Sequence, residues 1–239
     1  MAFVDRGVFS HSWDTREVKK YLEYGGDAKQ KNRFGMMPIH VSAQENNLSN
    51  FFVLIPYCTE EELMFSLGMF SEQRIAASAA LMLLASGRLE KRENIDCCIE
   101  LFSLDKSKGF RAAFEIVWNP DTPNTDLEYL KRFFQASLSG PERQFPLEEN
   151  ETHKLVAAMA SLVESDRNNL VLVEEFLKKR GGKAFKKLLK TLNEDEMEKN
   201  RNPASFRKTQ REIFLTEVSG QVKRLDAAMV SATAEMAAY

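Results

Sequence analysis

The chain has 239 residues, 44% of them hydrophobic, which is enough to bury a substantial core in one elongated domain or two small ones. Its formal net charge is −2, so no global field directs it to nucleic acid or an anionic membrane. Glycine (11) and proline (7) are both scarce, as suits a helical chain, and the three cysteines (Cys58, Cys97 and Cys98) form no CxxC, which points to a reduced, cytosol-like setting without a structural zinc site.

Taken in chain order, apolar residues recur at helical spacing and alternating strand patterns are weak. Met1 to Trp13 carries Asp5 and Arg6 and does not read as a secretory signal. Val18, Tyr21 and Leu22 form the first helical face, ended by Gly25-Gly26. Leu48 to Ile55 predicts a further helix after Asn46-Asn47, and Thr59 reads as the cap of a helix opening with Glu60, Glu61 and Glu62. The longest apolar stretch, Ile75 to Ala85, is about half the roughly 20 residues of a membrane span. Leu81, Leu84 and Ala85 mark its helical face, and Ser86-Gly87 closes it. Ile95, Cys98, Ile99 and Phe102 mark the next helix, followed by Leu127, Leu130, Phe133 and Phe134. Two Pro-containing loops are expected, at Asn119 to Thr125 and at Ser139 to Glu151, with a soft lobe boundary in the second. Leu155, Val156, Met159, Leu162 and Val163 form another face. Leu170, Val173, Phe176 and Leu177 continue after a break at Asp166 to Asn169, and Phe206 to Leu225 reads as a long final helix. The fold class is therefore all-α, built of short helices separated by breakers.

Glu17 to Asp27, followed by Asn32-Arg33-Phe34-Gly35-Met36-Met37-Pro38-Ile39-His40-Val41-Ser42-Ala43-Gln44, resembles the exit of one ankyrin repeat and the opening of the next. Gly35 can take the positive φ of the turn, Pro38 suits the first turn of a helix, and small Ser42 and Ala43 let helices approach. Met37 stands where threonine is usual, and Asn47 replaces the usual glycine between the paired helices. A weaker third unit is read from Ala79 to Glu90 with Ile95 to Phe102. The resemblance implies a helical-hairpin stack over residues 1–105, with 106–239 forming a helical bundle or solenoid extension. It also implies that His40 hydrogen-bonds backbone near the turn, and that binding uses turn tips and the adjoining concave helices. The partner-binding residues it selects are Lys29, Arg33, Phe34, Met36, Gln44 and Glu45. Two alternatives stand for Phe34 and Met37: contact with a partner, or packing back onto the neighbouring unit.

Catalytic signatures are lacking. His11, His40 and His153 show no metal-ligand spacing, and no phosphate-binding loop, nucleophile elbow or kinase motif occurs. Cys58 precedes a helix start, but the three glutamates after it oppose a thiolate, and Cys97 and Cys98 read as core. A basic surface comprising Lys179, Arg180, Lys183, Lys186, Lys187 and Lys190 follows Lys178 with no acid between, and its lysines from Lys183 onward fall opposite Phe185, Leu188, Leu189 and Leu192. It reads first as the solvated side of an amphipathic helix, since aromatic interleaving for base stacking is lacking.

The expectation is a non-enzymatic cytoplasmic adaptor that binds a protein partner and requires neither cofactor nor metal. By analogy with repeats fused to unfamiliar helical regions, it resembles a host-directed bacterial effector. Two competing expectations are an enzyme sited in the C-terminal lobe with the repeats recruiting substrate, and an RNA- or acidic-lipid-binding protein using residues 178–190.

Overall fold

A computed structural model describes residues 14–118, 126–139, 154, 155, 158, 159, 161–163, 165, 166 and 168–180. Among them the regular structure is helical, without strands. The chain divides into two compact units. Of the described residues, the first holds α1 (Thr15–Glu23), α2 (Pro38–Gln44), α3 (Leu48–Leu54), a 3-10 turn (Ile55–Tyr57), α4 (Glu60–Leu67), α5 (Gln73–Ser86), α6 (Arg92–Leu104), α7 (Lys106–Val117) and all but the first residue of α8 (Leu127–Ser137). The second holds the helical residues between 154 and 165 and α9 (Asn169–Arg180). The first unit thus runs past residue 105 to include α7 and α8.

Local chemistry sets the helix ends. Asp14 and Glu17 form a reciprocal capping box at the start of α1: Asp14 Oδ1 accepts from Arg16 N–H (3.1 Å) and Glu17 returns to Asp14 N–H (3.2 Å). Thr59 and Glu62 do the same for α4, at 3.3 and 2.7 Å. Asn47 caps α3 by accepting from Asn50 N–H (3.1 Å), and Gly87, at φ 67°, takes the left-handed conformation that closes α5. The left-handed residue between α2 and α3 is Asn46 (φ 54°), one position before the Asn47 expected there. Its side chain has a further role: Nδ2 donates to Ser71 Oγ (2.7 Å) and Oδ1 accepts from Ser71 N–H (3.2 Å) and Glu72 N–H (3.3 Å). The α2–α3 turn is thereby tied to the entry of α5.

Two successions of helices run through the first unit. In one, α1 packs on α3 and α3 on α5. Thr15 Oγ1 donates to Asn50 Oδ1 (2.8 Å) across the first of these contacts. In the other, α2 packs on α4, and α4 reaches α6 through Glu60 and the Met64–Cys98 sulfur contact (3.9 Å). The third unit read from the sequence paired α5 directly with α6. In the structure α5 and α6 do pack directly on each other, α5 packs as strongly on α7, and α4 packs on both α2 and α5.

Helix α5 is the centre of this unit. Ala76, Ala77, Ser78, Ala79, Ala80, Leu81, Met82, Leu83 and Ala85 are all buried, against α3, α4, α6 and α7. An apolar run too short for a membrane span is here a core helix. Its buried serine is satisfied by its own helix: Ser78 Oγ donates to the Arg74 carbonyl (2.9 Å). Tyr129 of α8 donates its hydroxyl to the Met82 carbonyl (2.7 Å) and meets Phe52 of α3 edge-on, with ring centroids 5.2 Å apart. Beyond α5, Phe110 and Phe114 of α7 pack with Phe133 and Phe134 of α8, at centroid separations from 5.4 to 6.3 Å. Such pairs each contribute about 0.5–1.5 kcal/mol beyond area burial. Helix α7 went unread because its apolar residues are interrupted by Lys106, Lys108 and Arg111 at its start.

In the second unit, Leu155, Met159, Leu162 and Val163 are buried, as are Leu170, Val173, Phe176 and Leu177 of α9. At the break between them, Asp166 Oδ1 accepts from Asn168 N–H (2.9 Å), and Asn169 Nδ2 donates to the Leu162 carbonyl (2.9 Å). The helix expected at Phe206 to Leu225 lies outside the described residues.

The approach of α7 to α5 depends on Gly109. A Cβ at that position would lie 3.1 Å from Ala77 Cβ and 3.4 Å from the Ala77 carbonyl carbon. Gly109→Leu is therefore expected to destabilise the protein by about 1–3 kcal/mol through overpacking. Urea unfolding should show a lower midpoint at an unchanged slope. Combining Gly109→Ala with Ala77→Gly should cost less than the sum of the two single changes, because the two positions share one contact.

Candidate binding surface

The loop between α1 and α2 is built by glycine and side-chain capping of backbone. Gly25 (φ 80°) turns the chain out of α1. Gly26 lets the Tyr21 ring lie over the backbone, where a Cβ would come within 2.3 Å of a ring carbon. The Tyr21 hydroxyl accepts from Asp27 N–H (3.0 Å) and donates to Gln30 Oε1 (2.9 Å). Farther on, Asn32 organises the tip. Its Oδ1 accepts from Phe34 N–H (2.9 Å) and Met36 N–H (3.1 Å), its N–H donates to the Met36 carbonyl (2.9 Å), and its carbonyl accepts from Gly35 N–H (2.9 Å). Gly35 sits at φ 77°, as the turn requires.

These bonds fix the backbone and leave two side chains outside. Phe34 is 66% exposed, and the Arg33 guanidinium lies over its ring at 4.7 Å from the centroid. Met37 takes the opposite course and is buried. The two alternatives held for this pair thus divide between them: Met37 packs and Phe34 does not. Met36 is half-buried.

His40 joins the tip to α2. Its Nδ1 accepts from Met37 N–H (3.3 Å), satisfying one of the free donors at the helix start. The neutral ring therefore carries its proton on Nε2, which is buried and has no hydrogen-bond partner among the described residues. The ring stands edge-on to Phe65 of α4 at 5.0 Å. Phe65 is 63% exposed, so its other side faces outward beside the tip loop's neighbour helix. The sequence reading missed this residue. Leu63 and Leu67, four apart, define the buried side of α4, and Phe65 falls some 200° from Leu63 at 100° per residue. A helical wheel would have exposed it. Tyr24, just past α1, is also exposed.

The remaining selected residues separate into groups. Lys29 is held by Glu62 of α4, its Nζ 3.0 Å from one carboxylate oxygen and 3.2 Å from the other. It therefore anchors the loop to α4. Burial opposes ionisation of Glu62, but Thr59 N–H and Lys29 hold its carboxyl below the ordinary range. Gln44 and Glu45 are exposed at the far end of α2, about 10 Å of helix from the tip. Lys179 of the basic face pairs with Glu175 (2.8 Å), while Lys183, Lys186, Lys187 and Lys190 lie outside the described residues, as does the Arg180 side chain.

Cysteine chemistry finds no support at Cys58 or Cys98. Burial pushes each thiol up to about 12, with Glu62 adding to the shift at Cys58 and Cys97 at Cys98. Cys97 was expected in the core but is exposed: α6 turns Cys98 and Phe102 inward, and the adjacent position points away. Among the described residues no group of three His, Cys, Asp or Glu side chains is placed to hold a metal, and no helix is long and apolar enough to cross a membrane. Comparison with protein-family models, curated proteins and solved structures gives no match.

Burial lowers the basicity of His40; Glu62 partly opposes this and Lys31 adds to it. The unfolded state therefore takes up a proton near the ordinary value of about 6.5 while the folded state does not. Stability from this site is fully present above that pH and is lost as pH falls toward the lowered folded value. His40→Gln keeps an acceptor for Met37 N–H and removes the titration. Urea midpoints measured from pH 7.5 to 5 should fall less in the variant than in the parent.

Proposed function

We propose that this chain is a protein-interaction module whose ankyrin-like helical hairpins present the Arg33–Phe34 tip to a protein partner. The observation that carries the reading is the pair itself. An aromatic ring two-thirds exposed, with a guanidinium on its face, sits on a backbone fixed by Asn32 and Gly35. Arginine and aromatic side chains are the usual anchors of protein interfaces, and a rigid support lowers the entropy lost on binding. Among the described residues, the packing of the first unit does not require Phe34 where it is.

Several features support the ankyrin-like part of the reading: the Met37–His40 hydrogen bond, Pro38 in the first turn of α2, positive φ at Gly35, and the packing of α2 on α4 and of α1 on α3. The partner would be a protein, and the second unit would stabilise the first or add contact area.

The test is an affinity capture with the full chain and a variant carrying Arg33→Ala, Phe34→Ala and Met36→Ala. The expected outcome is loss of the principal bound protein, with far-UV circular dichroism and urea midpoint unchanged. A hot-spot aromatic of this kind should weaken binding about tenfold or more when truncated alone. An unchanged set of bound proteins would reject the reading.

A further inference from the structure

The electrostatics of the tip define the chemistry of what it binds. Most charged groups where the loop meets α4 are already matched. Lys29 is paired with Glu62, and Lys91 with Glu61 at 2.6 Å. Glu60 accepts from Lys91 N–H (3.0 Å) and from Asn94 Nδ2 (2.8 Å). Asp27, the one acid between Tyr24 and Met37, is exposed, and its carboxylate accepts from Lys29 N–H (2.8 Å). Two cations remain: Lys31 and Arg33 are exposed and have no ion-pair partner among the described residues. They flank Asn32, the residue that sets the tip, and Arg33 is held against Phe34. A chain of net charge −2 therefore carries a locally basic point beside an apolar ring.

We propose that the Lys31–Arg33–Phe34 tip recognises an acidic protein segment that carries an apolar anchor. This inference rests on the interaction reading above and adds the partner's chemistry to it. Two unmatched cations, one of them on the face of an exposed ring, select carboxylates beside an aliphatic or aromatic side chain. A single-stranded nucleic acid fits less well. Stacking requires an open ring face and a track of cations, whereas one face of Phe34 is covered by Arg33 and the neighbouring Lys29 is neutralised.

The experiment uses the full chain and fluorescence anisotropy with four probes. One is a short labelled peptide with two leucines flanked by glutamate and aspartate. Its matched forms carry serine or lysine in place of the acids, and the fourth probe is an oligouridylate. The acidic peptide is expected to bind about fivefold more tightly than the serine form at low salt, as two exposed charge pairs would give. The margin should narrow as salt is raised. Lys31→Glu with Arg33→Glu should reverse the order, so that the lysine peptide binds best. If that variant unfolds, Lys31→Gln with Arg33→Gln should abolish the preference instead. Phe34→Ala should weaken all three peptides by a similar factor.

The inference is overturned if the acidic and serine peptides bind alike, if the preference survives charge reversal, or if the oligouridylate outcompetes the acidic peptide. Should charge make no difference while Phe34→Ala still abolishes binding, only the acidic partner is rejected and the interaction reading stands. Should Phe34→Ala have no effect on any probe, both are rejected.

Discussion

Helix α5 must be enclosed, and the arrangement of the first unit follows from that requirement. From Ala76 to Ala85 every residue but Leu84 is buried, so no side of α5 is left as an ordinary solvent face. Burying a large aliphatic side chain stabilises by about 1.5–3 kcal/mol, and leaving Leu81, Met82 and Leu83 uncovered would forfeit that on three successive directions around the helix. Alanine at positions 76, 77, 79, 80 and 85 makes the enclosure possible, because small residues let several helices come close at once. Where α7 approaches α5, the neighbour also supplies a glycine, Gly109 against Ala77.

Enclosing α5 has consequences for the surface. The helix draws α3 and α4 onto one part of itself, and α2 then rests on α4 and α1 on α3. Loop 24–37 is thus attached to the core partly through these helices, and it is held as well by buried Ala28 and Met37 and by a set of polar contacts. Tyr21 folds over Gly26, Lys29 reaches Glu62, Asn32 closes the tip, and Met37 donates its N–H to His40. Exposed ion pairs contribute roughly 0–1 kcal/mol, so Lys29–Glu62 positions the loop more than it stabilises the protein. Burial of Met37 and the capping bond at His40 bind the loop to α2 more firmly.

Much of this was legible in the sequence, for reasons that particular residues make clear. Gly35, Pro38 and His40 each answer a backbone demand within a few residues, so their pattern reveals the turn and the start of α2 without knowledge of the rest. The Thr59 and Glu62 cap is equally local. What escaped depends on long-range packing. Asn46 and Asn47 are both compatible with a left-handed bend, and the choice of Asn46 is tied to its reach to Ser71, 25 residues away. Helix α7 opens with charged residues, and its apolar side becomes evident only beside Phe133 and Phe134. Cys97 and Cys98 are indistinguishable by composition, and the rotation of α6 decides between them. Phe34 and Met37 posed the same problem, since either could have turned inward.

That last choice bears on function because stability does not account for all of it. Turning Phe34 inward would bury apolar area, yet the Asn32 hydrogen bonds and the positive φ at Gly35 direct it outward. Arg33 offsets part of the exposure, since a cation over a ring at an exposed site contributes about 0.5–1 kcal/mol. The loop therefore separates two roles over four positions. Met37 completes the core and His40 caps the helix, while Arg33 and Phe34 are held by rigid backbone and left free of packing duties. A surface with those properties can change its side chains without unfolding the core beneath it, and under the proposed interaction reading this separability would put specificity for a partner in the tip rather than in the buried helices.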